Sequence, residues 1–330
     1  MAMRFSIHTS IRNISGAIEH SRQAEALGFE AMFIADSQMN LLDPFQALAL
    51  CAGQTKRLRL GTAVTNMVYR DPTVLAGSAA TLNEIAEGRA ILGVGTGDGP
   101  VYTLGRKPTP MAKFEEGLKT LRELLQGKPA EFPTGKLGLK VGKLPVPLYV
   151  SVEGPRGLHA AGKFADGVVL GSGFDLRVFE WAKQKIAQGA AEVGRSPAEI
   201  DLLAAGMICV DKDSDRARAT VRTRLANRAH HNFRFTLETV PPEELPGLKA
   251  FMDNFDDAKP LEEKVDPKFV TDYLVDRFSI AGTPEECVAR VKKLEQAGIG
   301  RLLLTPPGKI YKETVEAWSK QVMPHFQGAP

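Results

Sequence analysis

Residues 80–98 read ATLNEIAEGRAILGVGTGD, and they contain the unit whose repetition decides the fold. The first half continues an amphipathic helix, and residues 89–94 (RAILGV) form an almost wholly apolar run of strand length. A strand that is apolar on both faces is typical of a parallel sheet covered by helices. The loop that follows combines glycines with one acid, Asp98. The segment therefore predicts a β–α unit with a polar carboxyl end.

Seven further apolar runs alternate with helical segments on either side of this unit. The runs predict strands at residues 4–8, 31–34, 57–62, 148–150, 167–170, 202–210 and 301–305. Helices are predicted at residues 15–27, 44–52, 72–87, 111–125, 155–164, 175–193, 283–297 and 312–322. Buried strands that are each followed by a helix indicate a single (β/α)8 TIM barrel. A doubly wound open sheet is the alternative, but it usually has a glycine-rich turn after the first strand, which this sequence lacks.

The chain is longer than a typical barrel of about 250 residues, and the surplus falls in two places. Residues 126–145 are punctuated by glycine and proline, which predicts a small hairpin excursion. Residues 211–276 are polar and charged, and they predict an insertion of mixed helices. We expect one domain over residues 1–330, in which the second insertion acts as a lid that selects the substrate.

The composition excludes several classes of protein. A content of 43% hydrophobic and 25% charged residues is ordinary for a globular protein. The 42 basic and 39 acidic residues give a net charge of +3, which indicates neither nucleic acid nor a membrane surface as a partner. The three cysteines are widely spaced without a CxxC motif, and no apolar run approaches the about 18 residues of a membrane span. We expect a cytoplasmic enzyme without a signal peptide.

Barrel enzymes carry their chemistry at the carboxyl ends of the strands, so these positions form the candidate site. They are small and polar residues with few charges, among them His8, Asp36, Ser37, Asn66, Asp98, Ser151, Glu153, Gly171 and Ser172. Because none of them has the spacing of metal ligands, no metal is expected. Two glycine-rich loops, residues 93–98 and 151–155, favour a flat or phosphate-bearing ligand. Ordinary tight turns also need glycine, and this alternative stays open.

Four segments, in this order along the chain, resemble the bacterial-luciferase-like superfamily of flavin and deazaflavin oxidoreductases. They are AEALGFEAMFIADSQ (24–38), RLRLGTAVTNMVYRDPTVLA (57–76), ATLNEIAEGRAILGVGTGD (80–98) and SVEGPRGLHAAGKFADGVVLG (151–171). The resemblance is greatest to the branch that includes methylenetetrahydromethanopterin reductase and dehydrogenases using coenzyme F-420, which also has FMN-binding members. It implies FMN or coenzyme F-420 (8-hydroxy-5-deazaflavin) as the cofactor, and the matching residues serve either one.

The resemblance also implies roles for individual residues. Relatives have a bulge with a non-prolyl cis peptide behind the coenzyme ring, and the matching bond here is Ala63–Val64. Asn66 would hydrogen-bond the polar edge of the ring, and Asp36 would lie near the ring and the substrate. The other residues implied in coenzyme binding are His8, Gly97, Ser151, Val152, Glu153, Gly154, Gly171 and Ser172. A purely structural histidine is the alternative for His8.

Two departures from the family pattern bear on the chemistry. Luciferase and the sugar-phosphate dehydrogenases have a histidine where this chain has Ser37, which puts those two activities in doubt. Asp98 replaces a glutamate that dehydrogenase relatives use as an acid, and it is one methylene shorter. Asp36 and Asp98 are the candidate proton donors or acceptors, and Ser37 completes the candidate catalytic set.

The basic stretch of the second insertion allows two interpretations. Its members are Arg216, Arg218, Arg222, Arg224, Arg228 and Arg234, with His230 and His231 between them. The four-residue spacing favours a solvated basic helix face. The alternative is that an arginine binds an anionic substrate or the acidic tail of a deazaflavin.

The predicted function is hydride transfer between the coenzyme and a small organic substrate, or oxygen activation by reduced FMN in a monooxygenation. A non-catalytic flavin carrier or sensor on the same barrel is the alternative. A phosphosugar lyase or isomerase ranks below both, because it would need a lysine or metal-binding acids at the strand ends. The resemblance further implies a homodimer and, for a monooxygenase, a separate flavin reductase as partner.

Overall fold

The computed structural model describes residues 3–256, 259 and 263–326. Its strands are β1 (Arg4–Thr9), β2 (Ala31–Ile34), β3 (Arg59–Thr62), β4 (Thr65–Asn66), β5 (Ala90–Gly95), β6 (Ala130–Phe132), β7 (Gly135–Leu137), β8 (Leu148–Ser151), β9 (Gly167–Leu170), β10 (Asp201–Val210), β11 (Ser279–Gly282) and β12 (Arg301–Thr305). Its helices are α1 (Ile14–Ala26), α2 (Pro44–Ala52), α3 (Pro72–Ile85), α4 (Gly99–Tyr102), α5 (Met111–Leu125), α6 (Pro155–Phe164), α7 (Leu176–Glu192), α8 (Ser214–Arg222), α9 (Ala226–Thr236), α10 (Leu245–Asp253), α11 (Asp272–Phe278), α12 (Pro284–Gln296) and α13 (Tyr311–Gln321). Part of the predicted insertion, residues 257, 258 and 260–262, lies outside the described residues.

Eight parallel strands close into a barrel in the order β1, β2, β3, β5, β8, β9, β10 and β12. The last strand returns to the first, with Phe5 opposite Leu302. β10 completes the ring because it pairs with β9 along its first half and with β12 further on. The predicted (β/α)8 barrel is confirmed. No helix within the described residues is both long and apolar enough to cross a membrane.

The barrel strands are apolar on both faces because each face is covered. Large side chains fill the barrel interior, among them Phe33, Ile91, Tyr149, Val169, Leu203 and Leu303. The opposite faces pack against the surrounding helices in one continuous core. All six residues of β5 are buried, as its apolar sequence predicts.

Local signals set the ends of several helices. Asp43 caps α2 by accepting hydrogen bonds from the backbone amides of Phe45 and Gln46. Thr283 and Glu286 form a reciprocal capping box at the start of α12. The observed bounds of α2, α5 and α6 coincide with the predicted ones.

The two insertions differ in how they are built. Residues 126–145 contain the antiparallel hairpin of β6 and β7, which confirms the predicted excursion. Within the second insertion, α8 to α11 have an apolar core of their own that includes Val221, Phe233, Phe251 and Leu274. This core holds the insertion as a compact layer on the barrel.

Three short elements were absent from the sequence-based prediction: β4, α4 and β11. β11 follows the insertion and extends the sheet by pairing with the second half of β10, Met207 opposite Ser279. Its sequence, SIAG, has no apolar run, so only its neighbours make it a strand. The insertion is therefore followed by a strand rather than by a loop.

Candidate functional site

A cis peptide bond joins Ala63 to Val64 between β3 and β4. Both strands pair with β5: Gly61 lies opposite Ile91, and Asn66 lies opposite Gly95. Pairing with β5 is therefore interrupted at residues 63 and 64 and resumes at Thr65. The cis bond implied by the family resemblance is confirmed, and we refer to Ala63 and Val64 as the cis bulge.

Glycines of β5 make room for this bulge. A Cβ on Gly93 would lie 2.0 Å from the carbonyl oxygen of Thr62, and one on Gly95 would lie 3.0 Å from Val64 Cγ2. The Thr62 hydroxyl also donates to the Gly93 carbonyl (2.7 Å) and accepts from its amide (3.0 Å). At these two glycines the nearby space is therefore taken by the Thr62 backbone and by the Val64 side chain. Contact between the loop of residues 93–98 and a ligand stays a prediction.

A cavity of about 500 Å³ lies at the carboxyl ends of the strands. Of the predicted site residues, it is lined by His8, Ala63, Val64, Ser151 and Gly171. Apolar side chains form much of the wall, namely Val64, Val169, Met207, Phe278 and Leu303. Its volume is in the range of small-molecule and cofactor sites. We refer to it as the central cavity.

His8 is fixed against the cis bulge. Its Nε2 lies 3.1 Å from the carbonyl oxygen of Ala63. Burial lowers the pKa of His8 to about 4, and this effect outweighs the hydrogen bond to Ala63, which raises it; the charge of Arg228 lowers it further. The imidazole is therefore neutral at physiological pH.

Asp36 lies beside the bulge in a network of its own. It is 4% exposed, and its Oδ2 accepts hydrogen bonds from Thr65 Oγ1 (2.7 Å) and Arg70 Nε (2.9 Å). Arg70 also pairs with Asp43 at 2.7 Å. These bonds tie β4 to the end of β2, so the structure gives Asp36 a supporting role for the bulge.

The neighbours of Asp36 also have local partners. Ser37 Oγ accepts from Asn40 Nδ2 at 3.4 Å, and Asn66 Oδ1 accepts from the amide of Val68 at 3.0 Å. Neither these two residues nor Asp36 is among those that line the central cavity. Their roles toward a ligand stay predictions.

A second polar network crosses the mouth of the barrel. Asp98 Oδ1 lies 3.3 Å from His231 Nδ1, and His231 Nε2 lies 3.8 Å from Glu153 Oε2. Glu153 Oε1 is in turn 2.5 Å from Arg228 Nη2, and Arg228 Nε donates to the Gly171 carbonyl at 3.0 Å. We refer to Asp98, Glu153, Arg228 and His231 as the mouth network.

The charges of this network decide the protonation of Asp98. Burial alone would raise its pKa, but the hydrogen bond to His231 and the charges of His231, Arg228 and Arg234 lower it below the usual 3.8. Asp98 is therefore a carboxylate at neutral pH. It is suited to accept a proton rather than to donate one.

Most of the basic stretch is not the solvated helix face that the sequence favours. Arg224 and Arg228 line the central cavity. Arg218 and Arg222 instead pair with Asp272 at the start of α11, at 3.2 Å and 2.5 Å. For these four arginines the interpretation is wrong, because they line the cavity or pair with an acid distant in the sequence. Arg216 is 65% exposed, as that interpretation expects. Arg228 and His231 are three residues apart on α9, which places them on one face of the helix. This spacing is the feature of the sequence from which their proximity could have been predicted.

The region predicted to bind phosphate combines donors with one acid. Gly154 is the N-cap of α6 and makes no side-chain cap, so the first turn of this helix keeps backbone amides without a capping side chain. Ser172 Oγ accepts from Asn232 Nδ2 at 2.9 Å. The side chain of Glu153 is 5% exposed, and Arg228 is its nearest cation. The donors, the cis bulge and the largely apolar cavity together fit a flavin-type coenzyme with a phosphate.

Gly97 and Val152 shape the backbone near the site. Gly97 has φ +100°, and a Cβ there would lie 2.6 Å from Val101. Val152 packs against Gly157, where a Cβ would lie 2.8 Å away. Among the described residues, no group of three or more His, Cys, Asp or Glu side chains could hold a metal ion.

The sequence pattern of the luciferase-like monooxygenase family matches residues 3–301 of the chain. The chain belongs to the luciferase-like monooxygenase family. Within the family, it is 31% identical to the 5,10-methylenetetrahydromethanopterin reductase of Archaeoglobus fulgidus, over 92% of this chain and 93% of that protein. It is 28% identical to the F420-dependent glucose-6-phosphate dehydrogenase 1 of Rhodococcus jostii, over 83% of this chain and 81% of the relative.

A solved luciferase-like relative shows the same architecture. The coenzyme F420 dependent tetrahydromethanopterin reductase from Methanopyrus kandleri superposes with a TM-score of 0.78 at 26% identity, covering 99% of this chain and all of that one. These comparisons confirm the predicted family, the barrel and the class of enzyme, an oxidoreductase that uses a flavin or deazaflavin coenzyme. They give no support to a non-catalytic carrier or sensor.

Proposed function

We propose that this luciferase-like protein transfers hydride between a deazaflavin coenzyme of the F420 type and a small organic substrate in the central cavity. The observation that carries the proposal is the cis bulge on the wall of a cavity of about 500 Å³. Relatives named as F420-dependent, at 28% and 26% identity, favour the deazaflavin. FMN is the alternative coenzyme.

Each part of the coenzyme would have its own residues in this proposal. Ala63 and Val64 would support the ring, with Asn66, Asp36 and Gly97 near it. The phosphate would lie by the residues at the carboxyl ends of the fifth and sixth barrel strands, β8 and β9, namely Ser151, Val152, Glu153, Gly154, Gly171 and Ser172. When bound, the coenzyme accepts or supplies the hydride. The protein contributes orientation and a pocket from which water is excluded.

A titration of the purified protein with each coenzyme tests the proposal. We expect saturable binding of F420 by its absorption or fluorescence, and weaker binding of FMN. Met207→Trp should reduce this binding, because Met207 lines the central cavity and the larger ring would fill it. Leu137→Trp, on the exposed hairpin, is the control. If wild-type protein bound neither coenzyme, the proposed function would be rejected.

Asp98→Asn is expected to reduce turnover by roughly 100-fold while coenzyme affinity changes little. Asp98 would accept a proton in the reaction, and the amide cannot do so. Asp211→Asn, which removes a carboxylate paired with Arg216 outside the site, should leave turnover unchanged. Steady-state kinetics and coenzyme titration of both variants decide it; equal turnover in the two variants would reject this role for Asp98.

The carboxylate of Asp98 makes the contribution of the mouth network to stability depend on pH. Because the pKa of Asp98 is lowered in the folded protein, its interactions with His231 stabilise the fold above the usual value of 3.8. This contribution is lost as the pH falls through the lowered pKa. The stability difference between wild-type protein and Asp98→Asn should therefore be present near pH 5 and shrink below about pH 4.

We also propose that residues 1–330 act as one cytoplasmic catalytic domain in a homodimer. The support is the family resemblance and the continuous barrel core. A separate flavin reductase would be a partner only if the coenzyme were FMN. Light scattering of the purified protein measures the mass of the assembly, and a monomer would reject the dimer.

A further inference from the structure

His8 has only one way to hydrogen-bond the cis bulge. A carbonyl oxygen accepts hydrogen bonds and never donates them, so Nε2 must be the nitrogen that carries the proton toward Ala63. In a neutral imidazole the other nitrogen, Nδ1, is unprotonated and its lone pair can accept a hydrogen bond. Within the described part of the chain, no side chain or backbone group donates a hydrogen bond to Nδ1.

The surroundings of the ring define what can reach this lone pair. His8 lines the central cavity, as does Ala63, so the ring and its anchor share one wall. The described residues that line the cavity include Arg224 and Arg228 but no Asp or Glu. The charge of Arg228 lowers the pKa of His8, so a further positive charge beside this ring is disfavoured. The group that meets Nδ1 must therefore be an uncharged donor.

His8 is also a poor proton acceptor. Burial favours the neutral ring, and protonation would place a second positive charge close to Arg228. A hydrogen bond donated to Nδ1 adds no charge to the ring, so it requires neither a buried charge nor repulsion by Arg228. The site thus favours acceptance of a hydrogen bond over acceptance of a proton.

We propose that His8 determines ligand specificity in the central cavity by accepting, through Nδ1, a hydrogen bond from an uncharged O–H or N–H group of the ligand. This inference rests on the proposed function for the placement of coenzyme and substrate. The donor belongs either to the coenzyme or to the substrate. His8 would position that group, while the cis bulge holds the imidazole in one orientation.

Two substitutions separate this role from simple support of the bulge. Asparagine places its amide near the position of Nδ1, so His8→Asn retains an acceptor but loses the bond to Ala63. Glutamine is longer and its amide reaches the position of Nε2, so His8→Gln retains that bond but loses the acceptor. We expect His8→Gln to weaken ligand binding about tenfold, because the donor is left unpaired, and His8→Asn to weaken it less. The reverse order would overturn the proposal.

Nitrogen NMR of protein labelled with ¹⁵N-histidine gives a readout that needs neither variant to fold perfectly. The Nδ1 resonance of His8, assigned by its loss in His8→Asn, should be that of an unprotonated nitrogen in the free protein. F420 alone should shift it if the coenzyme supplies the donor. The probe for the substrate is 2-propanol, a small uncharged alcohol with one O–H donor. If the substrate supplies the donor, the shift should appear when this probe is added to the F420-saturated protein. A protonated Nδ1, or a resonance that neither addition moves, would overturn the proposal.

The NMR experiment also distinguishes failure of the proposed function from failure of the role proposed for His8. Wild-type protein that binds no F420 would reject the proposed deazaflavin function. The protonation of Nδ1 in the free protein, and its response to FMN in place of F420, would still decide the role of His8.

Discussion

Gly93→Ala is expected to lower the free energy of unfolding by about 3 kcal/mol, because the added methyl group meets backbone rather than a mobile side chain. Its Cβ would lie 2.0 Å from the carbonyl oxygen of Thr62. To relieve this contact, β3 must move away from β5, which breaks both hydrogen bonds between Thr62 and Gly93. The cis bulge follows directly after Thr62, so coenzyme binding should be lost as well. Urea denaturation and F420 titration measure the two effects.

Gly77→Ala is the matched control for this substitution. Gly77 lies inside α3, and a Cβ there would meet nothing within 4 Å. Alanine is the better helix former, so this variant should be more stable than wild-type protein by about 0.5–1 kcal/mol. If the two alanine variants had the same stability, the close approach of β3 to Gly93 would be wrong.

Arg228→Met is expected to destabilise the fold by about 2 kcal/mol at neutral pH. The substitution leaves the carboxylate of Glu153, whose side chain is 5% exposed, without its partner at 2.5 Å. His231, at 3.8 Å, is then the nearest basic group. The expected loss is below the usual cost of breaking a fully buried pair because the Arg228 side chain is 41% exposed.

The double variant Arg228→Met with Glu153→Gln tests the cause. Removing the charge of Glu153 should recover most of the lost stability, which a double-mutant cycle measures as coupling between the two sites. Arg216→Met is the control, because Arg216 is 65% exposed in its pair with Asp211 and should cost less than about 0.5 kcal/mol. Additive effects of Arg228→Met and Glu153→Gln would contradict the importance of this pair.

Much of the barrel could be predicted because its signals are local. β5 is apolar throughout, and α5 and α6 begin and end where their sequences indicate. β11 could not be predicted in this way, since its four residues become a strand only by pairing with β10. The glycines of β5 are a second example. Because they lack a side chain, another part of the chain can come close to them, but only the structure shows that β3 and Val64 do so.

The sequence by itself determined the barrel, the cis bulge position by resemblance, and the strand ends at which the site is formed. Only the tertiary structure decided which side chains meet at the mouth. Arg228 and Glu153 are distant in the chain, and their pairing depends on how the insertion packs on the barrel. Likewise, the tautomer of His8 follows from one carbonyl group of the cis bulge. Periodicity and turn chemistry act over a few residues, whereas ion pairs and hydrogen bonds between elements depend on the packing of the whole chain.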